Sequence, residues 1–148
     1  MSVKHRFSSP RKHHARSATA AVEFAIFLPL LVTLTIGTID LCSLLYLKES
    51  VTMAAYEGAR QGVGRGHTNA NCTARVMDFL DERDVNYDTA NVVSYSSPGF
   101  DSAAALQNVT VTVTVPCAGN LLIASAWFDD LSVSAAVTMR KEYDNPSL

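Results

Sequence analysis

Residues 18–47 read ATAAVEFAIFLPLLVTLTIGTIDLCSLLYL, and within them only Glu23 and Asp40 carry a formal charge. The sixteen residues between, Phe24 to Ile39, are uncharged. A bilayer core about 30 Å thick takes roughly 20 residues of helix. Phe24 to Leu47 is 24 residues, which as a helix reaches about 36 Å. The segment spans if Asp40 lies near the far interface, and tilt takes up any surplus. Pro29 lacks a backbone donor and crowds the preceding turn. Membrane helices absorb such a break when neighbouring groups satisfy the freed carbonyl, so a kink is expected rather than an end. A cleaved secretory signal would need an apolar core of roughly 7–15 residues followed by a small-x-small site. Here the run continues into Leu44-Leu45-Tyr46-Leu47 and no such site follows it.

The charge pattern gives this segment a direction. Residues 1–17 hold five basic side chains (Lys4, Arg6, Arg11, Lys12 and Arg16) and no acid, while the remaining 131 residues carry a net charge of -7. Such a tail also suits nucleic acid or lipid headgroups. Next to a long apolar run, basic flanks mark the cytoplasmic side. Glu23 then has two readings. It lies at the interface, where a helix N-terminus favours a carboxylate, or it sits deeper and pairs with a cation supplied by a partner.

Beyond the span the helix is expected to continue. Val51, Ala54, Ala55, Gly58, Ala59 and Gly62 recur at helical spacing, and small faces of this kind let helices approach closely. Gly62, Gly64 and Gly66 are expected to stop it, since glycine supplies the left-handed C-cap. The GVGRGH stretch lacks the Lys-Ser/Thr ending of a phosphate loop. Asn71–Arg83 predicts an amphipathic helix with Cys72, Val76, Phe79 and Leu80 on its apolar side. Val92 to Tyr95 predicts a strand start, closed by Ser-Pro-Gly at 97–99. Asn108–Val115 (NVTVTVTV) puts Val109, Val111, Val113 and Val115 on one face of a strand. Leu131–Met139 alternates again and is expected to pair antiparallel with it. Leu121–Phe128, with Trp127, reads as a short helix or loop. Arg140-Lys141-Glu142 closes the domain. The fold class is α+β: a long N-terminal transmembrane helix continuing into a small exported domain with a second helix and about three antiparallel strands. Residues 1–18 form a basic tail, 19–47 the transmembrane helix, 48–66 its extension and glycine-rich stop, and 67–148 the exported domain.

Cys42 lies in the apolar helix, where a cysteine reads as a small buried hydrophobe. Cys72 and Cys117 are both exported on this topology, and a pair of cysteines in an oxidising compartment favours a disulfide. Its loop would be worth about 4 kcal/mol in the chain-entropy model. Two free thiols or an intermolecular bridge are the alternatives.

The sequence offers little for catalysis. His5, His13 and His14 lie in the tail and only His67 is exported, so a zinc site lacks ligands once the two cysteines are bonded to each other. There is no G-x-S-x-G elbow, no H-E-x-x-H and no nucleotide fingerprint. Asp129 and Asp130 are adjacent, and neighbours along a strand point to opposite faces, so they read as a solvated turn. Asn71-Cys72-Thr73 and Asn108-Val109-Thr110 match the glycosylation sequon, a pattern that arises readily by chance. No catalytic residue, metal site or cofactor is expected.

Arg16-Ser17-Ala18-Thr19-Ala20-Ala21-Val22-Glu23-Phe24-Ala25, followed by Leu28-Pro29-Leu30-Leu31, resembles the opening of the TadE-like family, the minor pilins or pseudopilins of tight-adherence pilus systems. A second block, Ala54-Ala55-Tyr56-Glu57-Gly58-Ala59-Arg60, resembles the family at the expected distance beyond the membrane. The likeness covers about residues 16–62, and departs where Ala18 replaces the more usual glycine. It implies cleavage by a prepilin peptidase between Ala18 and Thr19. The basic residues would leave with the leader, and Glu23 would pair with the new amine of Thr19, setting axial register between packed subunits. It also implies a single-pass inner-membrane protein, N-terminus in, with the C-terminal domain exported and incorporated in a pilus. Its partners would be the membrane, other pilin-like subunits and the pilus or secretion machinery, without nucleic acid. A membrane-anchored extracytoplasmic binding domain outside any pilus is the rival reading, and a membrane-anchored hydrolase finds no catalytic constellation.

Overall fold

The computed structural model describes residues 13–121 and 130–144, with side chains from Thr19 onward. The basic residues at positions 4–12, most of the 121–128 stretch including Trp127, and Asp129 lie outside them. The elements are helix α1 (His13–Gly62), helix α2 (Asn69–Asp81) and strands β1 (Val93–Tyr95), β2 (Asn108–Pro116) and β3 (Ser132–Arg140). The chain divides into two compact units, Met1–Thr38 and Ile39–Leu148.

In the first unit α1 runs through Pro29 without interruption. Thr33 Oγ1 donates to the Pro29 carbonyl at 2.8 Å, and Thr35 and Thr38 do the same to Leu31 and Leu34. Each threonine thereby satisfies its hydroxyl on its own helix. That is how polar residues sit in a segment without water. The large side chains of this unit, among them Phe24, Ile26, Phe27 and Leu34, are exposed.

In the second unit the rest of α1 is a wall of the core. Leu47, Val51, Ala54, Ala55 and Ala59 are buried, and so are Gly58 and Gly62. α1 ends at Gly62. The left-handed glycine is Gly66, with φ 76°, not Gly62 or Gly64. Gly62 is needed for space: a Cβ there would lie 2.4 Å from the Phe100 ring.

α2 starts two residues before the expected Asn71 because Thr68 is its cap. Thr68 is extended (φ -120°, ψ 174°), and the Asn71 Oδ1 accepts from the Thr68 N–H at 3.0 Å and from the Thr68 hydroxyl at 2.9 Å. The helix is closed by Asp84, which takes the left-handed conformation (φ 54°) while the Val85 N–H donates back to the Leu80 carbonyl at 3.1 Å. Cys72, Val76 and Leu80 are buried, as the amphipathic pattern requires.

The sheet is antiparallel in the order β1-β2-β3. β2 is central, with Val93 opposite Val113 on one side and Val111 opposite Val137 on the other. Val109, Val111, Val113, Val115, Val133 and Ala135 are buried against the helices. The threonine face stays partly open, where the Thr110 and Thr138 hydroxyls meet at 2.8 Å. Residues 99–107 bring Phe100 and Ala103 into the core. Lys141, expected at a polar end, is fully buried. Its ammonium donates to the Phe100 carbonyl, and its backbone pairs with Leu106 and Gln107.

Candidate functional site

The residues singled out from the sequence fall into three groups. Glu23, Thr19 and the apolar side chains around them are exposed. Over Thr19–Gly62 the helix is long and apolar enough to cross a membrane, and none of its most apolar stretch is buried. An apolar helix surface left bare in this way needs lipid or like helices around it. The structure is consistent with single-pass anchoring through this helix.

The second group is the block at 57–60, whose inner and outer pairs have opposite roles. A Cβ on Gly58 would lie 2.4 Å from Val76 Cγ2 and 3.2 Å from Cys72 Sγ, so only glycine lets α2 approach this closely. Ala59 is fully buried beside it. Glu57 and Arg60 face outward and form an i,i+3 ion pair at 3.9 Å, with the arginine side chain 70% exposed. Half of the block is core, and half is a charged surface.

The third group is the cysteines. The expected Cys72–Cys117 bridge is not formed: both are free and buried. Cys72 lies in the first turn of α2 and Cys117 just after β2. Cys72 Sγ faces Gly58 and the Tyr95 hydroxyl. Cys117 follows β2, next to the turn in which the Asn86 amide donates to the Gly119 carbonyl at 2.8 Å. Cys117 lines a cleft beside Leu44, Leu45 and Lys48, and Lys48 and Gly58 are ten residues apart on α1, about 15 Å at the helical rise, against a Cα limit of about 7 Å for a disulfide. Burial pushes both thiols above their ordinary value, which suits inert core cysteines. Cys42, expected to be buried, is exposed on α1.

Asn69 is a junction that the sequence did not announce. Its Oδ1 accepts the Phe100 N–H at 2.8 Å, its carbonyl accepts the Tyr95 hydroxyl at 2.8 Å, and its N–H donates to Asp101 at 3.0 Å. The Tyr95 hydroxyl also meets Thr73 Oγ1 at 2.6 Å, and burial raises the tyrosine well above its usual value. The only hint in sequence was the Ser-Pro-Gly turn preceding Phe100. His67 Nδ1 lies 2.6 Å from the Gln61 carbonyl, closing the turn after α1. Asp130 is exposed in a turn. Among the described residues no three His, Cys, Asp or Glu side chains converge as metal ligands.

These features define a small α+β domain entered by a long helix whose apolar stretch is exposed. Residues 18–60 match the family described as TadE-like protein, and the chain carries a TadE-like domain there. The matched span includes both the bare apolar stretch and the small-residue wall of the core. No curated protein and no solved structure matches the chain.

Proposed function

We propose that this protein is a TadE-like minor pilin or pilus-assembly subunit that works through the packing of its helix and its domain. The observation that supports it most is the division of the TadE-like segment. Its first part is an apolar helix that none of the described residues covers. Its second part is built into the wall of a folded domain. A subunit held laterally by its helix and presenting a domain at a fixed point along that helix has this construction.

On this reading the protein is a single-pass protein of the bacterial inner membrane, N-terminus in, with the unit from Ile39 exported. A prepilin peptidase cuts between Ala18 and Thr19. Glu23, exposed four residues beyond Thr19, then pairs with the new amine of a neighbouring copy. In the low dielectric among packed helices that pairing offsets the cost of desolvating the carboxylate and favours one axial register. Glu57 and Arg60 lie on the side of α1 away from its own core, where another subunit of the pilus or secretion machinery would meet them.

The mature N-terminus, read by mass spectrometry of the protein purified from membranes, tests this directly. Thr19 is expected in a strain with an active prepilin peptidase, and an uncut tail in one without. A deletant with normal pili and normal adhesion would refute the assembly role. A retained tail in the mature protein together with normal pili would favour the membrane-tethered binding domain instead.

A further inference from the structure

Two clefts flank α1 at the base of the second unit. One, of about 350 Å³, is lined by residues that include Cys42, Ser43, Tyr46 and Arg83. The other, of about 470 Å³, is lined by residues that include Leu44, Leu45, Lys48 and Leu131. Each places a cation beside apolar or small side chains at positions 42–48 of the helix. This stretch directly follows the uncharged run that ends at Ile39.

The apolar side chains here are exposed. Leu41 is 57% exposed, Leu45 62% and Leu131 52%. Leu45 and Leu131 line the same cleft although they are far apart in sequence, so the fold itself gathers them. The cations are held at this level by contacts other than acids. The Arg83 guanidinium lies 4.8 Å from the Phe79 ring and 6.0 Å from the Tyr46 ring, with a long contact of 3.4 Å to Ser50. The Lys48 ammonium donates to the Ser134 carbonyl. Among the described residues neither cation forms an ion pair. Asp84 lines the first cleft as well, so the lining is mixed and not strongly cationic.

Leucines below, then tyrosine, lysine and arginine above, is the order in which side chains cross from acyl chains to phosphates at a membrane surface. The groups lie on one folded unit and both sides of one helix, immediately past its uncharged run. We infer that the base of this domain is seated in the headgroup layer of the bilayer. Leu41, Leu45 and Leu131 meet the upper acyl chains of phospholipids, while Lys48, Arg83 and Tyr46 meet their phosphates. The domain is therefore docked on the membrane surface and does not ride clear of it. This inference requires the anchor and is independent of the pilus role.

The test uses the full chain in phospholipid vesicles, in a Cys42→Ser background that leaves the two buried thiols. Flotation with the vesicles first checks the anchor by itself. An environment-sensitive fluorophore is then attached through Leu131→Cys, through Leu45→Cys, or through Arg65→Cys in the exposed turn after α1. Lipids carrying a quencher near the glycerol are expected to remove most of the emission at 131 and 45 and to leave that at 65 unchanged. Lys48→Gln with Arg83→Gln is expected to restore part of the emission at 131, because the base rises when its phosphate contacts are lost. Equal, weak quenching at 131 and 65 in a chain that floats would overturn the inference. So would protection of 131 from lipid by a second copy, seen as cross-linking through that position at every protein-to-lipid ratio.

Discussion

Replacing Gly58 by alanine adds one methyl group to the closest approach between the two helices. The new carbon would lie 2.4 Å from Val76 Cγ2, where relaxed carbon contacts are about 3.5–4.0 Å. Val76 cannot turn away freely, because a β-branched side chain in a helix keeps essentially one rotamer. Overpacking of this kind costs about 1–3 kcal/mol, while alanine in place of a helical glycine returns roughly 1 kcal/mol. Gly58→Ala is therefore expected to destabilise by about 0–2 kcal/mol. The decisive variant is the pair. Val76→Ala alone removes two carbons worth about 1.6 kcal/mol in transfer, with a cavity cost added. Combined with Gly58→Ala it also removes the clash, so the alanine at 58 now fills space and keeps its helical advantage. The double variant should be about 1 kcal/mol more stable than Val76→Ala alone. Urea unfolding of the full chain in detergent, followed by near-ultraviolet circular dichroism, measures all four corners of the cycle. If Gly58→Ala stabilises by itself, or if the two effects simply add, the close approach is not what the glycine is for. Gly37→Ala is a useful contrast, since a Cβ there meets nothing within 4 Å.

Four further outcomes follow from the same geometry. Asn69→Ala strands the Phe100 N–H, which now donates to it at 2.8 Å, and should cost about 1–3 kcal/mol in the same melts; an effect below about 0.5 kcal/mol would mark the bond as dispensable. Cys72 and Cys117 should resist alkylation until the domain unfolds and then be recovered as two thiols, whereas isolation of a Cys72–Cys117 disulfide would contradict the fold. Because burial raises both thiols above the free value of 9.0, their contribution to stability is intact below about pH 9 and is lost as pH rises beyond it; Cys72→Ala should flatten that alkaline decline, and an unchanged slope would count against burial as its source. Glu57→Ala and Arg60→Ala break an exposed ion pair and should change stability by less than about 0.5 kcal/mol, so any larger loss of pilus assembly in those variants reports a partner contact and not misfolding.

The parts of this fold that could be read from sequence are those written in short-range period. The small residues from Val51 to Gly62 repeat at helical spacing, and all six are buried. The Val/Thr alternation of β2 placed every valine of that strand inward, and the alternation of β3 gave its antiparallel pairing with β2. Boundaries shifted where a single side chain decides them, as when Thr68 and Asn71 cap α2. What sequence did not show depends on contacts between distant segments. Lys141 is buried only because the Phe100 carbonyl reaches it from 41 positions away. The disulfide expectation rested on compartment and number, and neither says where the fold puts the two thiols, which are free and buried. Asn69 looked like an ordinary polar residue near a helix start until the 99–101 turn came to meet it.

There is no linker between anchor and domain. One continuous helix enters from the apolar run and supplies Leu47, Val51, Ala54, Ala55 and Ala59 to the interior. A fragment beginning at the glycine-rich turn would expose the valine face of its sheet to water and have nothing to close it. Any soluble version must keep the helix from about Leu44 onward. The order of synthesis has the same consequence: the first part of the interior to be made is the helix, and it waits, uncovered, until the last strand arrives.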